Sequence, residues 1–124
     1  VHDNRVMPAA LEPRGAWAEW DGARLHLATN GQGVWQPKKD VCRHLRLPAA
    51  AVRVTTPDVG GGFGLKGITH PEMLLVACAA RMLGRPVRWI ADRSESMLAD
   101  NGGRDLTSDL TLAFDADDRL RGYL

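Results

Sequence analysis

The chain has 124 residues, the size of one ordinary domain, with 44% hydrophobic and 25% charged residues, as is typical of globular proteins. Sixteen Lys and Arg stand against 15 Asp and Glu, giving a formal net charge of +1. This near-balance argues against a nucleic-acid-binding protein, which needs a strongly basic face. The longest apolar stretch, residues 73–80, is much shorter than the roughly 18 residues that cross a membrane.

The eight elements predicted from the sequence are strands 16–21 and 25–29, a helix 37–47, a strand 51–56, a helix 70–83, and strands 87–91, 106–114 and 119–124. Asp21-Gly22 between the first two strands is a strong hairpin signal. Pro37 and Pro71 suit first helical turns. The order β-β-α-β-α-β-β-β predicts an α+β fold, with two main helices on one mixed sheet. The second helix is apolar around most of its circumference, so we expect it to be buried.

Cys42 and Cys78 do not form a CxxC pair, so no zinc or iron–sulfur site is expected within the chain. Reduced cysteines and the lack of a signal-peptide pattern predict a cytoplasmic protein. The chain begins with Val1 and stops in mid-pattern at Leu124, which suggests a piece of a longer polypeptide. The four Trp residues are expected to serve core or interface packing, with stacking on a ligand as a minor alternative for Trp35.

A glycine-rich run, residues 59–67 (VGGGFGLKG), lies between a predicted strand and a predicted helix. Without Cβ atoms the backbone can adopt positive φ, and consecutive N–H groups can then hold an anion or an oxo group. A purely structural bend is the simplest alternative. A dinucleotide-binding site is another alternative, because Gly62–Gly67 match G-x-G-x-x-G. The match is poor, however, since Pro71 places the helix start after the last glycine, and Asp92 lies further beyond Gly67 than the usual ~20 residues. Gly67 after Lys66 excludes a P-loop, which needs Ser or Thr there.

Residues 57–66 (PDVGGGFGLK) resemble a signature of the large, molybdenum-binding subunit of the xanthine oxidase family, which includes aldehyde oxidoreductases and aerobic carbon monoxide dehydrogenases. Three further stretches agree in order and spacing: residues 4–6 with 11–15 (NRV, LEPRG), residues 31–33 (GQG) followed by a helix, and residues 84–95 (GRPVRWIADRSE). The resemblance therefore extends from about residue 4 to residue 104. It implies that residues 1–124 are part of a larger molybdenum cofactor-binding domain.

The resemblance also implies a cofactor and partners. The cofactor would be molybdopterin, in bacteria usually the cytosine dinucleotide form, and electrons would leave through 2Fe-2S clusters to FAD in partner subunits or domains. The substrate would be a small molecule, namely an aldehyde, an N-heterocycle or carbon monoxide, oxidised with water as the oxygen source. The sequence leaves open whether the protein forms a homo-oligomer. By position, Gln32 would donate a hydrogen bond to an oxo ligand of molybdenum, and the backbone of Gly61, Gly62, Phe63 and Gly64 would line the cofactor.

Two features limit what the resemblance implies. Gly67 stands where purine-oxidising members have a substrate-binding Glu, and Leu65 replaces a common glycine, which puts xanthine in doubt as a substrate. The family's catalytic glutamate lies far beyond the matching region. We therefore expect no catalytic residue and no protein ligand to the metal in this chain, and no turnover by it alone. The rival hypotheses are a nicotinamide-dinucleotide-binding domain and a non-catalytic scaffold with a structural glycine loop.

Overall fold

The computed structural model describes all residues from Val1 to Leu124 and contains two compact units, Pro8–Asn101 and Val1–Met7 with Gly102–Leu124. The strands and helices in chain order are β1 (His2–Asp3), β2 (Gly15–Trp20), β3 (Leu25–Thr29), α1 (Trp35–Leu45), β4 (Val52–Thr55), α2 (Pro71–Leu83), β5 (Val87–Ile90), α3 (Arg93–Ala99), β6 (Leu106–Thr107), β7 (Leu112–Phe114) and β8 (Leu120–Tyr123). Mixed helix and sheet content confirms the α+β class. No helix has both the length and the apolar character needed to cross a membrane.

The larger unit contains a four-stranded sheet in the order β4-β3-β2-β5. Strand β2 is antiparallel to β3 and β5, whereas β3 and β4 are parallel. The predicted hairpin is confirmed: the Asp21 carboxylate accepts hydrogen bonds from the N–H groups of Ala23 and Arg24, and Gly22 has a φ of +98°. The turn chemistry of Asp-Gly thus sets the register of the two central strands.

Helices α1 and α2 pack on one face of this sheet. Alternate residues of the strands point into the core, which also takes one stripe of each helix: Ala16, Ala18, Leu25, Leu27, Val41, Val52, Met73, Val76, Ala77 and Ala80. Ala18 and Ala77 are completely buried, and their small side chains suit the close packing of α2 against β2. The core therefore fixes the two ends of the glycine-rich run, since the run connects β4 to α2.

One burial expectation is wrong. Helix α2 buries only one stripe, because the sheet covers it from one side, and Leu75 and Met82 are 66% and 80% exposed. Trp35, expected to serve core or interface packing, begins α1 and is 75% exposed, so it is not part of this chain's own core. The apolar residues of a helix indicate which of its faces can be buried, but only the faces that other elements pack against are buried in the structure.

The predicted order of elements lacks α3. Asp92 caps this helix by accepting a hydrogen bond from the Glu95 N–H, so the Asp-x-x-Glu spacing at its start was the available signal. In the smaller unit, the predicted strand 106–114 is wrong, because it is two short strands, of which β6 pairs with β1 and β7 with β8. Strands β7 and β8 form a hairpin, in whose turn the Asp115 carboxylate accepts hydrogen bonds from the N–H groups of Asp117 and Arg119.

Candidate functional site

The glycine-rich run leaves β4 and turns sharply before α2. Gly61 and Gly64 have φ values of +97° and +86°, a region that residues with a Cβ rarely adopt. Phe63 lies there too, at φ +51°, which is a strained conformation for a bulky residue. Its side chain is 73% exposed, and its ring lies over Gly61, where an added Cβ would be 3.0 Å from the ring. The run thus presents backbone and one aromatic ring to the outside.

Gln32 meets this run from the loop after β3. The side-chain Oε1 of Gln32 accepts a hydrogen bond from the Gly64 N–H at 2.9 Å, and the backbone N–H of Gln32 donates to the Lys66 carbonyl at 2.9 Å. A Cβ on Gly62 would lie 2.6 Å from the Gln32 Cγ, so only glycine allows this approach. The structure therefore brings together the predicted residues Gln32, Gly62, Phe63 and Gly64.

The glycines that flank Gln32 differ in their roles. A Cβ on Gly31 would be 3.1 Å from the Thr29 hydroxyl and 3.3 Å from the Lys66 carbonyl, and the Thr56 hydroxyl donates to the Gly31 carbonyl at 2.8 Å. A Cβ on Gly33 would meet nothing within 4 Å. Close packing on the Gly31 side thus holds the loop, while the Gly33 side is open.

Unused hydrogen-bond donors remain at the site. Because a backbone N–H can only donate, the Gly64 contact fixes the amide oxygen of Gln32 and leaves its Nε2 group without a bond in the chain. The N–H groups of Gly61, Gly62 and Phe63 likewise take no part in the chain's hydrogen bonds. The loop therefore keeps several unused donors within a short stretch of chain, of the kind that binds anionic or oxo-bearing groups.

Glu12 and Lys66 form a second layer that sequence reasoning missed. The Glu12 Oε2 accepts from the Gly60 N–H at 2.8 Å and from the Lys66 ammonium at 3.0 Å. Burial by itself would raise the pKa of Glu12, but these two donors outweigh it and lower the pKa below its ordinary value of 4.5. Both residues lie in stretches that carried the family resemblance, but nothing in their spacing indicated that they pair.

His70 lies at the N-cap of α2, and its side chain is buried. Its Nε2 is 2.9 Å from the Leu65 carbonyl oxygen, so the His70 side chain supports the end of the glycine-rich run. No group of three or more His, Cys, Asp or Glu side chains in the chain could hold a metal ion. Asp92 caps α3, away from the dinucleotide role that the G-x-G-x-x-G hypothesis would give it.

The sheet topology contradicts the nicotinamide-dinucleotide hypothesis. In that fold the strands on either side of the glycine-rich turn and its helix are parallel members of one βαβ unit. Here β4 and β5 run in the same direction, but they lie at opposite edges of the sheet, with β3 and the antiparallel β2 between them, so they are not the neighbouring strands of such a unit. The glycine match therefore occurs in a different architecture.

Known proteins share this fold. Residues 1–123 match the family model of the molybdopterin cofactor-binding domain. The gamma subunit of the 6-hydroxypseudooxynicotine dehydrogenase complex of Paenarthrobacter nicotinovorans is 37% identical over 120 residues, 96% of this chain and 15% of that protein. The carbon monoxide dehydrogenase large chain of Hydrogenophaga pseudoflava is 34% identical over 120 residues, 95% of this chain and 15% of that protein. Quinoline 2-oxidoreductase from Pseudomonas putida 86 matches in structure with a TM-score of 0.83 and 41% identity, covering 94% of this chain and 15% of that chain.

The chain belongs to the molybdopterin cofactor-binding domain family, as found in the molybdenum-binding subunits of the xanthine oxidase family. This confirms the resemblance that the glycine-rich run and the Gln32 loop carried. The chain spans about 15% of the length of the relatives named above.

Proposed function

We propose that residues 1–124 are one part of a larger molybdenum hydroxylase or dehydrogenase subunit and form one wall of its molybdenum site. The observation that carries this proposal is the Gln32–Gly64 hydrogen bond, because it joins Gln32 to the glycine-rich run and leaves the Gln32 Nε2 group as a donor, in addition to the unused N–H groups of Gly61, Gly62 and Phe63. Oxo groups on a metal are strong acceptors, and a cluster of neutral donors is the complementary partner.

The residues present fit a molybdopterin cofactor. The Gln32 side chain occupies the space where a Cβ on Gly62 would lie, so a cofactor at this part of the run would meet main chain and the Gln32 amide together. In this proposal Gln32 donates to an oxo ligand of the metal, and the exposed Phe63 ring closes one side. The bound cofactor would supply the redox chemistry that oxidises a substrate carbon with oxygen from water. This chain's own residues bind and orient the cofactor, and the base that moves the proton comes from another part of the subunit.

The proposal includes the finer cofactor and partner assignments. The cofactor is molybdopterin cytosine dinucleotide, and 2Fe-2S clusters and FAD reside in partner subunits or domains of a cytoplasmic enzyme. The support is family membership together with the relatives' own descriptions as subunits or large chains of complexes. Copurification of the complete subunit with iron, flavin and molybdenum in fixed ratios is the expected result, and a subunit that purifies without molybdenum would contradict it.

Among the substrate classes, we favour a nitrogen heterocycle. Two relatives carry quinoline and 6-hydroxypseudooxynicotine in their names, both compounds with a nitrogen-containing ring. Gly67 removes the Glu found in purine-oxidising members, which favours a heterocycle that needs no such hydrogen bond over xanthine. The complete enzyme should oxidise quinoline-type compounds faster than xanthine, and the reverse order would contradict this assignment.

The central test is Gln32→Ala in the complete subunit, with Gln36→Ala as the matched control. Gln36 is an exposed glutamine on α1 that hydrogen-bonds only Asp40, at 3.0 and 3.1 Å. Gln32→Ala should lower molybdenum content or turnover at least tenfold while thermal unfolding is little changed, and Gln36→Ala should change neither. Normal content and turnover in Gln32→Ala would favour the scaffold hypothesis.

A second test concerns the ring. Phe63→Ala removes a largely exposed side chain that does not belong to the hydrophobic core, so we expect little loss of folding stability. If the ring closes one side of the cofactor, the variant should lose cofactor more rapidly on dilution. Unchanged retention would remove Phe63 from the site.

A further inference from the structure

The ammonium group of Lys66 is buried, although the residue lies in a surface loop. Its side chain is 1% exposed, and its one charged partner is the Glu12 carboxylate at 3.0 Å. A buried ammonium is costly unless it is paired and hydrogen-bonded, and removing its partner leaves that cost uncompensated. A lysine on such a loop would normally extend into water, so its inward position requires a reason.

Glu12 connects this ammonium to the start of the glycine-rich run. Besides Lys66, its Oε2 accepts from the Gly60 N–H, and its own N–H donates to the Gly60 carbonyl at 3.1 Å. A Cβ on Gly60 would be 2.5 Å from the Glu12 Cβ, so the two backbones are in close contact. Arg93 holds the segment before Glu12 by donating to the Ala10 and Leu11 carbonyls at 2.9 and 2.8 Å.

Lys66 also connects to Gln32 through its backbone. The Lys66 carbonyl accepts from the Gln32 N–H, while the Gln32 side chain accepts from the Gly64 N–H. The Glu12–Lys66 ion pair therefore links Gly60, at the start of the run, to Lys66, near its end. Through the Lys66 carbonyl it also links the run to the backbone of Gln32. None of these bonds uses the N–H groups of Gly61, Gly62 or Phe63, which stay free as donors.

We propose that the Glu12–Lys66 pair is a positioning device, which holds the glycine-rich run and Gln32 in the geometry that receives the cofactor before the cofactor arrives. This inference rests on the proposed function for the identity of the ligand. Neither residue is catalytic, because both act through the loop that they brace. Preorganisation of this kind lowers the ordering cost of binding and should appear as affinity for the cofactor.

The experiment uses the complete subunit with Glu12→Gln, Lys66→Met and the double variant, and Glu19→Gln as the matched control on an exposed strand position. Two quantities are measured: amide hydrogen exchange of residues 60–64 in the cofactor-free protein, and molybdenum per subunit after loading. Glu12→Gln should raise exchange at these residues at least tenfold, leave α2 and the central strands unchanged, and lower molybdenum content. Glu19→Gln should change neither quantity.

The double variant separates positioning from folding, since it removes the uncompensated ammonium that a single Glu12 substitution leaves buried. It should regain stability yet keep the fast exchange and the low molybdenum content. Full recovery of molybdenum in the double variant would overturn the proposal, as would unchanged exchange in Glu12→Gln. Failure of the proposed function looks different: Gln32→Ala would then load molybdenum normally, while the exchange effect in the cofactor-free protein would persist.

Discussion

The larger unit buries two cations, Arg14 and Lys66, in contrasting surroundings. Arg14 is 1% exposed and binds two carboxylates, Glu72 at 2.7 Å and Asp100, with its guanidinium 5.3 Å from the Trp89 ring centroid. Its partners belong to the first turn of α2 and the C-cap of α3, so Arg14 joins two helices. Lys66 has one carboxylate partner, and that pair braces a loop.

The comparison shows how the same physical element serves two purposes. A guanidinium with two carboxylates and an aromatic ring fixes regular elements relative to one another, where rigidity is the whole result. A single ammonium–carboxylate pair beneath a glycine-rich run fixes a backbone whose own donors remain available to a ligand. We therefore expect that loss of Arg14 lowers the stability of the fold, whereas loss of the Glu12–Lys66 ion pair weakens cofactor binding.

The largest expected effect is that of Arg14→Met. The variant leaves Glu72 and Asp100 without their cation in a largely buried position, which should cost about 3–5 kcal/mol of unfolding free energy. Urea denaturation followed by circular dichroism measures it, with Arg85→Met, at an exposed arginine, as the control. A loss for Arg14→Met no larger than that of the control would remove the contrast between the two cations.

An intermediate effect is expected on acidification. Burial by itself would raise the pKa of Glu72, but the hydrogen bonds and charge of Arg14 prevail and lower it below 4.5. A carboxyl whose folded pKa is depressed stabilises the fold above its unfolded pKa, and this contribution is lost as pH falls through the folded pKa. The melting temperature should therefore decline from about pH 5 downward.

Glu72→Gln sharpens this test. The variant should already be destabilised near neutral pH and should show a shallower decline on acidification, because it lacks one of the depressed carboxyls. Glu19→Gln, at an exposed strand position, should keep the wild-type slope. An unchanged slope in Glu72→Gln would show that Glu72 does not contribute to acid unfolding.

The smallest effect on stability, with a large effect on binding, is expected for Gly62→Ala. The new Cβ would overlap the flexible Gln32 side chain, which can move aside, so we expect a loss of about 1 kcal/mol or less. The Gln32–Gly64 hydrogen bond would break, and molybdenum content should fall severalfold. Gly33→Ala, at a position with open space, should leave both unchanged; equal cofactor loading in the two variants would mean that the Gln32 position does not matter.

Local sequence patterns predicted most of the larger unit. Asp21-Gly22 fixed the hairpin through its turn chemistry, and Pro71 and Gly84 bounded α2 within a residue of the predicted limits. The failures came where local signals were weak or ignored. Helix α3 has a capping pattern that was overlooked, and the strand 106–114 was an apolar alternation that the smaller unit divides between two partners.

The glycine-rich run and the Gln32 loop could be identified as a candidate site because their chemistry is local: glycine in series permits positive φ, and a flanked amide can be presented. Their meeting could not be deduced in the same way, since Gln32 and Gly64 are 32 residues apart and only the packing of β3 and β4 brings them together. The same holds more strongly for Glu12 and Lys66, which are separated by 54 residues.

The sequence by itself determined the backbone freedom of residues 60–64, the turn and cap positions, and the family to which the chain belongs. Tertiary structure alone decided which side of α2 is buried, that the Nε2 end of the Gln32 amide is left to donate, and that Lys66 turns inward to Glu12. The physical reason is that conformational preference is a property of neighbouring residues, whereas burial and charge pairing depend on residues that only the folded sheet places within hydrogen-bond distance.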